Sequence, residues 1–99
     1  MQESEYLEKR FAKDPLFISR KIGSRFILVP IRQKAIDVDS IYNMNEVAGR
    51  IWELIDGKRQ LKDIRDVIVE EFDVESVEAG SDLVELMQQL EEIDAVKEA

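Results

Sequence analysis

Carboxylates are the main chemistry-bearing side chains of this sequence, because its 99 residues include no histidine and no cysteine. The chain therefore lacks the usual general base, the usual zinc ligand and any thiol nucleophile. Its four glycines are isolated from one another, so they cannot form a phosphate-binding loop. These absences predict a protein that has no catalytic residues, holds no metal and uses no cofactor.

The arrangement of the carboxylates does not suggest a reactive pair. Asp37 and Asp39 look like the start of a calcium loop, but the glycine expected at the sixth position and the acid at the twelfth are missing. Glu70-Glu71 and Glu91-Glu92 are adjacent on predicted helices, where neighbouring side chains do not face one another. We therefore interpret the carboxylates as solvated charges.

Charge is unevenly distributed along the chain, whose net charge is −8. Residues 1–34 contain eight basic and four acidic side chains, whereas residues 35–99 contain six basic and eighteen acidic ones. Nucleic-acid binding needs Lys and Arg on the face that meets phosphate. The acidic C-terminal two thirds therefore argue against nucleic acid as a partner.

The sequence also bears on the compartment. Its apolar runs are all far shorter than a membrane span of about 20 residues. The first residues lack the basic and apolar regions of a signal peptide. The absence of cysteine is compatible with a reducing compartment. We expect a cytoplasmic protein that does not associate with membranes.

A two-residue period marks the first part of the predicted domain. Strands rich in β-branched and aromatic residues are expected over 17–22 and 25–29, and Gly23-Ser24 between them favours a tight hairpin turn. A third short strand is expected over 40–44. Residues 1–16 are mostly polar and are expected to form an N-terminal arm that is flexible or contains one short helix.

A helical period begins at Asn45, a residue that favours the helix N-cap. Apolar residues at three- and four-residue steps predict helices over 46–56, from Leu61 to about Phe72, and over about 76–93, the last with Ser76 as its N-cap. The fold class expected for residues 17–99 is a single α+β domain. It has a three-stranded antiparallel sheet followed by three helices.

Several short motifs occur in a fixed order along the chain: Leu28-Val29-Pro30-Ile31, Met44-Asn45-Glu46, Ile51-Trp52, Asp56-Gly57, Phe72-Asp73-Val74 and Asp82-Leu83. In this order and spacing they resemble the PqqD family, which is named after a pyrroloquinoline quinone biosynthesis protein and is also called the RiPP recognition element. The resemblance covers about residues 17–96. Gln60 and Asp94 depart from the family pattern, but both concern helix ends.

The resemblance implies a winged helix-turn-helix fold and a protein that is not an enzyme. Family members bind the leader part of a ribosomally made precursor peptide and present it to a modifying enzyme, often a radical SAM enzyme. The peptide adds as a strand to the third strand and lies beside the third helix. The peptide-binding residues expected here are Ile41, Tyr42, Asn43, Met44, Asp82, Leu83, Glu85 and Gln89.

The third strand supports this expectation independently. Neither Lys nor Pro blocks its edge, and an unblocked edge needs a partner. That partner could be a peptide or, in a homodimer, a second copy of the chain. The acidic flank of the last helix favours a leader that combines apolar residues with some Lys or Arg.

Two other functions are compatible with the same architecture. A winged-helix DNA-binding domain would need a basic recognition helix, but residues 76–93 contain no Lys or Arg. Salt-sensitive binding to duplex DNA would favour that alternative. A structural scaffold without a peptide ligand is the second alternative.

Overall fold

The computed structural model describes residues 3–32, 35–36 and 42–99. Helices and strands follow one another in this order: α1 (Glu3–Tyr6), β1 (Phe11–Lys13), β2 (Phe17–Ile22), β3 (Arg25–Arg32), β4 (Ala35–Ile36), β5 (Tyr42–Met44), α2 (Glu46–Leu54), α3 (Leu61–Phe72), α4 (Ser76–Glu92) and β6 (Val96–Glu98). None of the helices in these ranges has the length and apolar character that crossing a bilayer requires.

Strand β3 lies at the centre of an antiparallel sheet. It pairs with β2 along Arg25–Pro30 and with β5 along Phe26–Leu28, so β2 and β5 occupy opposite edges of β3. The two-residue β4 also pairs with β3, where Ile36 lies opposite Ile31. The register of this pairing differs by three residues from the register of β5 on β3. The turn between β2 and β3 contains Gly23 with a φ of 63°, the left-handed conformation that such a turn requires.

Helix α2 packs against one face of this sheet, and α3 and α4 pack against α2 and against each other. The core includes the following buried side chains: Phe26, Leu28, Met44, Ile51, Trp52, Leu61, Ile64, Ile68, Leu83, Leu86, Met87 and Leu90. The predicted α+β fold, an antiparallel sheet followed by three helices, is confirmed.

Helix α2 approaches the sheet closely at Gly49. A Cβ built on Gly49 would lie 2.0 Å from Cδ1 of Phe26, so the aromatic ring occupies the space that any side chain would need. Gly80 in α4 has looser surroundings, and the nearest atom to its hypothetical Cβ is a Glu3 carboxylate oxygen at 3.2 Å.

The N-terminal segment packs on the core. Tyr6, Leu7 and Phe11 are buried, and β1 pairs antiparallel with β6 at the other end of the chain. The sequence predicts an arm that is flexible or contains a short helix. The structure has a four-residue helix at Glu3–Tyr6 and adds a strand and apolar contacts, which local sequence does not indicate.

Two helix ends differ from the sequence expectation. Helix α2 ends at Leu54, two residues earlier than predicted, because the Asp56 carboxylate accepts the backbone N–H groups of Lys58 and Arg59 and starts a turn. Helix α4 has Glu75 rather than Ser76 at its N-cap.

The two helical glycines should respond oppositely to alanine. Gly49→Ala should lower the free energy of unfolding by about 1–3 kcal/mol, because the added methyl group overlaps the Phe26 ring. Gly80→Ala is the matched control and should be neutral or stabilising by up to about 1 kcal/mol, because alanine favours helix and the Glu3 side chain can move away. Urea denaturation of both variants measures the difference, and equal effects would contradict this account of α2.

Asn45 caps helix α2, with its side-chain oxygen accepting the Ala48 N–H at 2.8 Å. Asn45→Ala should lower the free energy of unfolding by about 1 kcal/mol because that N–H loses its partner. Asn45→Ser keeps a capping oxygen and should recover most of the loss. Thermal or urea unfolding of the three proteins checks this, and an Asn45→Ala variant as stable as the unmodified protein would refute the cap.

Candidate functional site

A groove of about 500 Å³ opens between β5, the first half of α2 and the exposed side of α4. Its floor is apolar and consists of side chains that also belong to the core, among them Met44, Ile51, Ala79 and Leu86. Its rim is polar and lies on the strand and on α4. Such a combination suits an extended ligand whose side chains reach an apolar floor.

The edge of β5 that borders the groove is open. The Ile31 N–H donates to the Leu16 carbonyl, 2.6 Å away on the β2 side. Backbone directions alternate along an antiparallel strand, so Ile27 also directs its N–H and C=O towards β2. Asn43 lies opposite Ile27 and therefore directs its own N–H and C=O away from β3. Within the described residues, no strand pairs with this edge.

The α4 wall of the groove is acidic. Glu78, Asp82, Glu85 and Gln89 line the groove at steps of four, three and four residues, which places them on one face of the helix. All four side chains are exposed. The three carboxylates take part in none of the ion pairs found among the described residues.

Tyr42 connects the two walls of the groove. Its hydroxyl donates a hydrogen bond to Oε1 of Gln89, which joins β5 to the C-terminal half of α4. Partial burial and the nearby Glu85 carboxylate raise the pKa of the Tyr42 hydroxyl above its usual range. The phenol therefore stays protonated and remains a donor at neutral pH.

The structure brings most of the sequence-predicted site residues together. The groove is lined by Tyr42, Asn43, Met44, Asp82, Glu85 and Gln89. Leu83 points instead into the core with 1% of its surface exposed, because it belongs to the buried stripe of α4. Ile41 lies outside the described residues.

The contribution of α2 was missed by the sequence analysis. Val47, Ala48 and Ile51 line the groove together with Asn45. The apolar spacing of α2 predicts one apolar face, and Val47 and Ala48 on this face are only partly buried. The helical spacing of 47, 48 and 51 is a signal for a shared face, but periodicity alone cannot show that part of this face stays uncovered.

A comparison with protein families decides the classification. The family model of coenzyme PQQ synthesis protein D (PqqD) matches residues 29–96. The chain belongs to the PqqD family. The matched residues run from β3 into β6 and include the elements that line the groove, and the resemblance inferred from the sequence motifs is confirmed.

A solved structure also resembles this PqqD family member. The structure of TbiB1 in complex with the TbiA(beta) leader peptide has a TM-score of 0.71 and a sequence identity of 19%. The match covers 87% of this chain and 94% of that chain, which shows that the two share a fold. No curated protein matches the sequence.

The raised pKa of Tyr42 makes stability depend on pH in the alkaline range. The contribution of the protonated Tyr42 hydroxyl to the free energy of unfolding is fully present below the pKa of an unfolded tyrosine, about 10. This contribution is lost as the pH rises through the higher pKa of the folded state. Tyr42→Phe should therefore lessen the fall in the free energy of unfolding above about pH 9.5. Urea denaturation across this range measures it, and parallel losses in both proteins would show that Tyr42 has no part in the pH dependence.

Proposed function

We propose that this protein binds the leader part of a ribosomally made precursor peptide and presents the peptide to a modifying enzyme, in particular a radical SAM enzyme. The observation that carries the proposal is the open edge of β5 beside an apolar groove. Membership of the PqqD family supports the role, and so does the shared fold with TbiB1, which was solved with a leader peptide bound.

The binding mode that the geometry supports is the addition of a strand to β5. The N–H and C=O of Asn43 face the open edge and supply one backbone donor and one acceptor to a peptide strand. Because a single hydrogen bond contributes only about 0.5–1.5 kcal/mol net, apolar contacts must supply much of the affinity. The partly buried Val47, Ala48 and Val74, which also line the groove, provide that apolar surface.

Modification of the peptide is assigned to a separate enzyme. The chain has no histidine or cysteine, and the groove carboxylates are exposed rather than enclosed with a partner group. In this proposal the protein contributes binding and orientation and performs no step of the chemistry. Incubation with a precursor peptide alone should leave the mass of the peptide unchanged.

Presentation requires a surface that remains free while the groove is filled. Ile18 and Ile31 lie 40% and 41% exposed on the sheet, and the segment from Pro15 to Ile36 contains no acidic residue. Ile18 pairs with Val29, on the face of the sheet opposite to Phe26 and the helices. In this proposal Ile18 and Ile31 on the outer face contact the second protein when a peptide lies in the groove.

A role in DNA binding is not favoured. The groove wall on α4 is acidic and would repel phosphate, and α4 contains no Lys or Arg. In α3, Arg65 forms an ion pair with the neighbouring Asp66.

Asn43→Pro tests strand addition directly. The substitution removes the N–H that faces the open edge but no N–H that β5 donates to β3, so we expect a folded protein whose affinity for the leader falls at least tenfold. NMR titration of the labelled protein with a candidate precursor peptide measures both the fold and the binding.

Two matched variants accompany this experiment. Asn43→Ala keeps the N–H and should bind as the unmodified protein does. Tyr42→Pro removes a donor to β3 and should destabilise the fold. If folded Asn43→Pro binds the peptide with unchanged affinity, addition at this edge is excluded.

A further inference from the structure

We propose that the leader recognised by this groove is basic, with Lys or Arg at two groove-facing positions that are two residues apart. This inference rests on the proposed function, because it specifies the chemistry of the peptide that adds to β5. The groove and the open strand edge define the site, and the charges of its wall define which peptide fits it.

The carboxylates of the wall form no ion pair among the described residues. Glu78, Asp82 and Glu85 follow one another along α4 at helical steps where like charges destabilise a helix. Among the described residues that line the groove there is no Lys or Arg. Arg50 of α2, on the neighbouring element, is paired with Glu71 at 2.8 Å and with Glu53. The described residues contribute no cation that would reduce the repulsion among these three carboxylates, and a cation of the ligand would do so.

Side chains of a strand alternate between the two faces of a sheet. A peptide strand added beside Asn43 directs every second side chain to the same face of the sheet as Tyr42 and Met44, which is the groove face. These side chains meet both the apolar floor and the acidic wall. Lys and Arg suit such a position, because their aliphatic stems cover apolar surface while the charged ends reach carboxylates.

The spacing of the wall carboxylates along α4 is close to the spacing of side chains on one face of a strand. Glu78 and Asp82 are separated by four residues, or about 6 Å along the helix axis, and Asp82 and Glu85 by about 4.5 Å. Groove-facing residues of an extended strand repeat every 6.6 to 6.8 Å, roughly. The distance between two basic residues at positions i and i+2 of the leader is therefore closer to the separation of Glu78 and Asp82 than to that of Asp82 and Glu85.

Because the wall is exposed, these charges should contribute modestly to affinity and strongly to its salt dependence. Replacing one of the two basic leader residues by Glu should weaken binding by about threefold to tenfold at low salt. Raising the salt concentration to about 0.5 M should bring this ratio close to one.

The experiment is a binding selection from an unbiased library of 12-residue peptides displayed on a common carrier. The unmodified protein should enrich Lys and Arg at two positions separated by one residue. The double variant Glu78→Lys/Asp82→Lys should instead enrich Asp and Glu at the same positions. The double variant Glu78→Gln/Asp82→Asn, which keeps the side-chain sizes, should lose the preference for basic residues without gaining one for acidic residues.

The matched control is Glu70→Lys/Glu92→Lys, which changes the net charge equally at two exposed positions that do not line the groove. It should enrich the same basic peptides as the unmodified protein. An identical shift in this control and in Glu78→Lys/Asp82→Lys would mean that net charge and not the wall is responsible, and the inference would be overturned.

The remaining outcomes separate the inference from the proposed function. Enrichment of peptides that lack basic residues, with loss of binding in Asn43→Pro, would overturn the inference and leave strand addition intact. Failure to enrich any peptide would count against both. In sedimentation, the unmodified protein could be a dimer and the Glu78→Lys/Asp82→Lys variant a monomer. That result would identify a second copy of the chain as the occupant of the groove and would overturn the inference.

Discussion

The contact between Gly49 and the Phe26 ring brings helix α2 against strand β3. Asn45 alone separates α2 from β5, so the place where α2 meets the sheet also determines where β5 runs. Met44 and Ile51 both belong to the floor of the groove. A side chain at position 49 would move the helix outward and would change both the packing of the core and the depth of the groove.

The open edge and the short length of β5 are related. The strand has three residues, of which the outer two direct their backbone groups to β3 and the middle one directs them outward. Asn43 can therefore be available to a ligand without weakening the attachment of β5 to the sheet. The Tyr42 hydrogen bond to Gln89 connects the same strand to α4, so the two walls of the groove are held together directly.

Basic and acidic side chains are concentrated on different elements of the fold. The strands β2 and β3 carry Arg and Lys without a single acid, whereas α4 carries acids without a single base. Several of the remaining charges are paired, as in the bidentate contact of Arg50 with Glu71 that joins α2 to α3. The groove wall is different because its carboxylates form no ion pair among the described residues, and this difference is the basis of the proposed preference for a basic ligand.

The sequence by itself determined those features that depend on neighbours along the chain. Gly23-Ser24 identifies the hairpin because the turn needs a left-handed residue, Asn45 identifies the start of α2, and helical spacing identifies the buried side of each helix. The family motifs lie in these same segments, which is why the family could be recognised before the fold was known. The edge of β5 was also visible, because no Lys or Pro protects it.

Only the tertiary structure decided the features that join distant parts of the chain. The pairing of β1 with β6 brings Phe11 opposite Glu98, and neither segment carries a local signal for the other. Asp82 and Leu83 are adjacent in sequence, but Asp82 lines the groove and Leu83 is buried in the core. Which of them is buried depends on the rotation of α4 about its axis relative to the neighbouring elements. The apolar face of α2 likewise contributes to both the core and the groove. Periodicity shows only that a face is apolar, whereas its burial depends on which surfaces contact it in the folded protein.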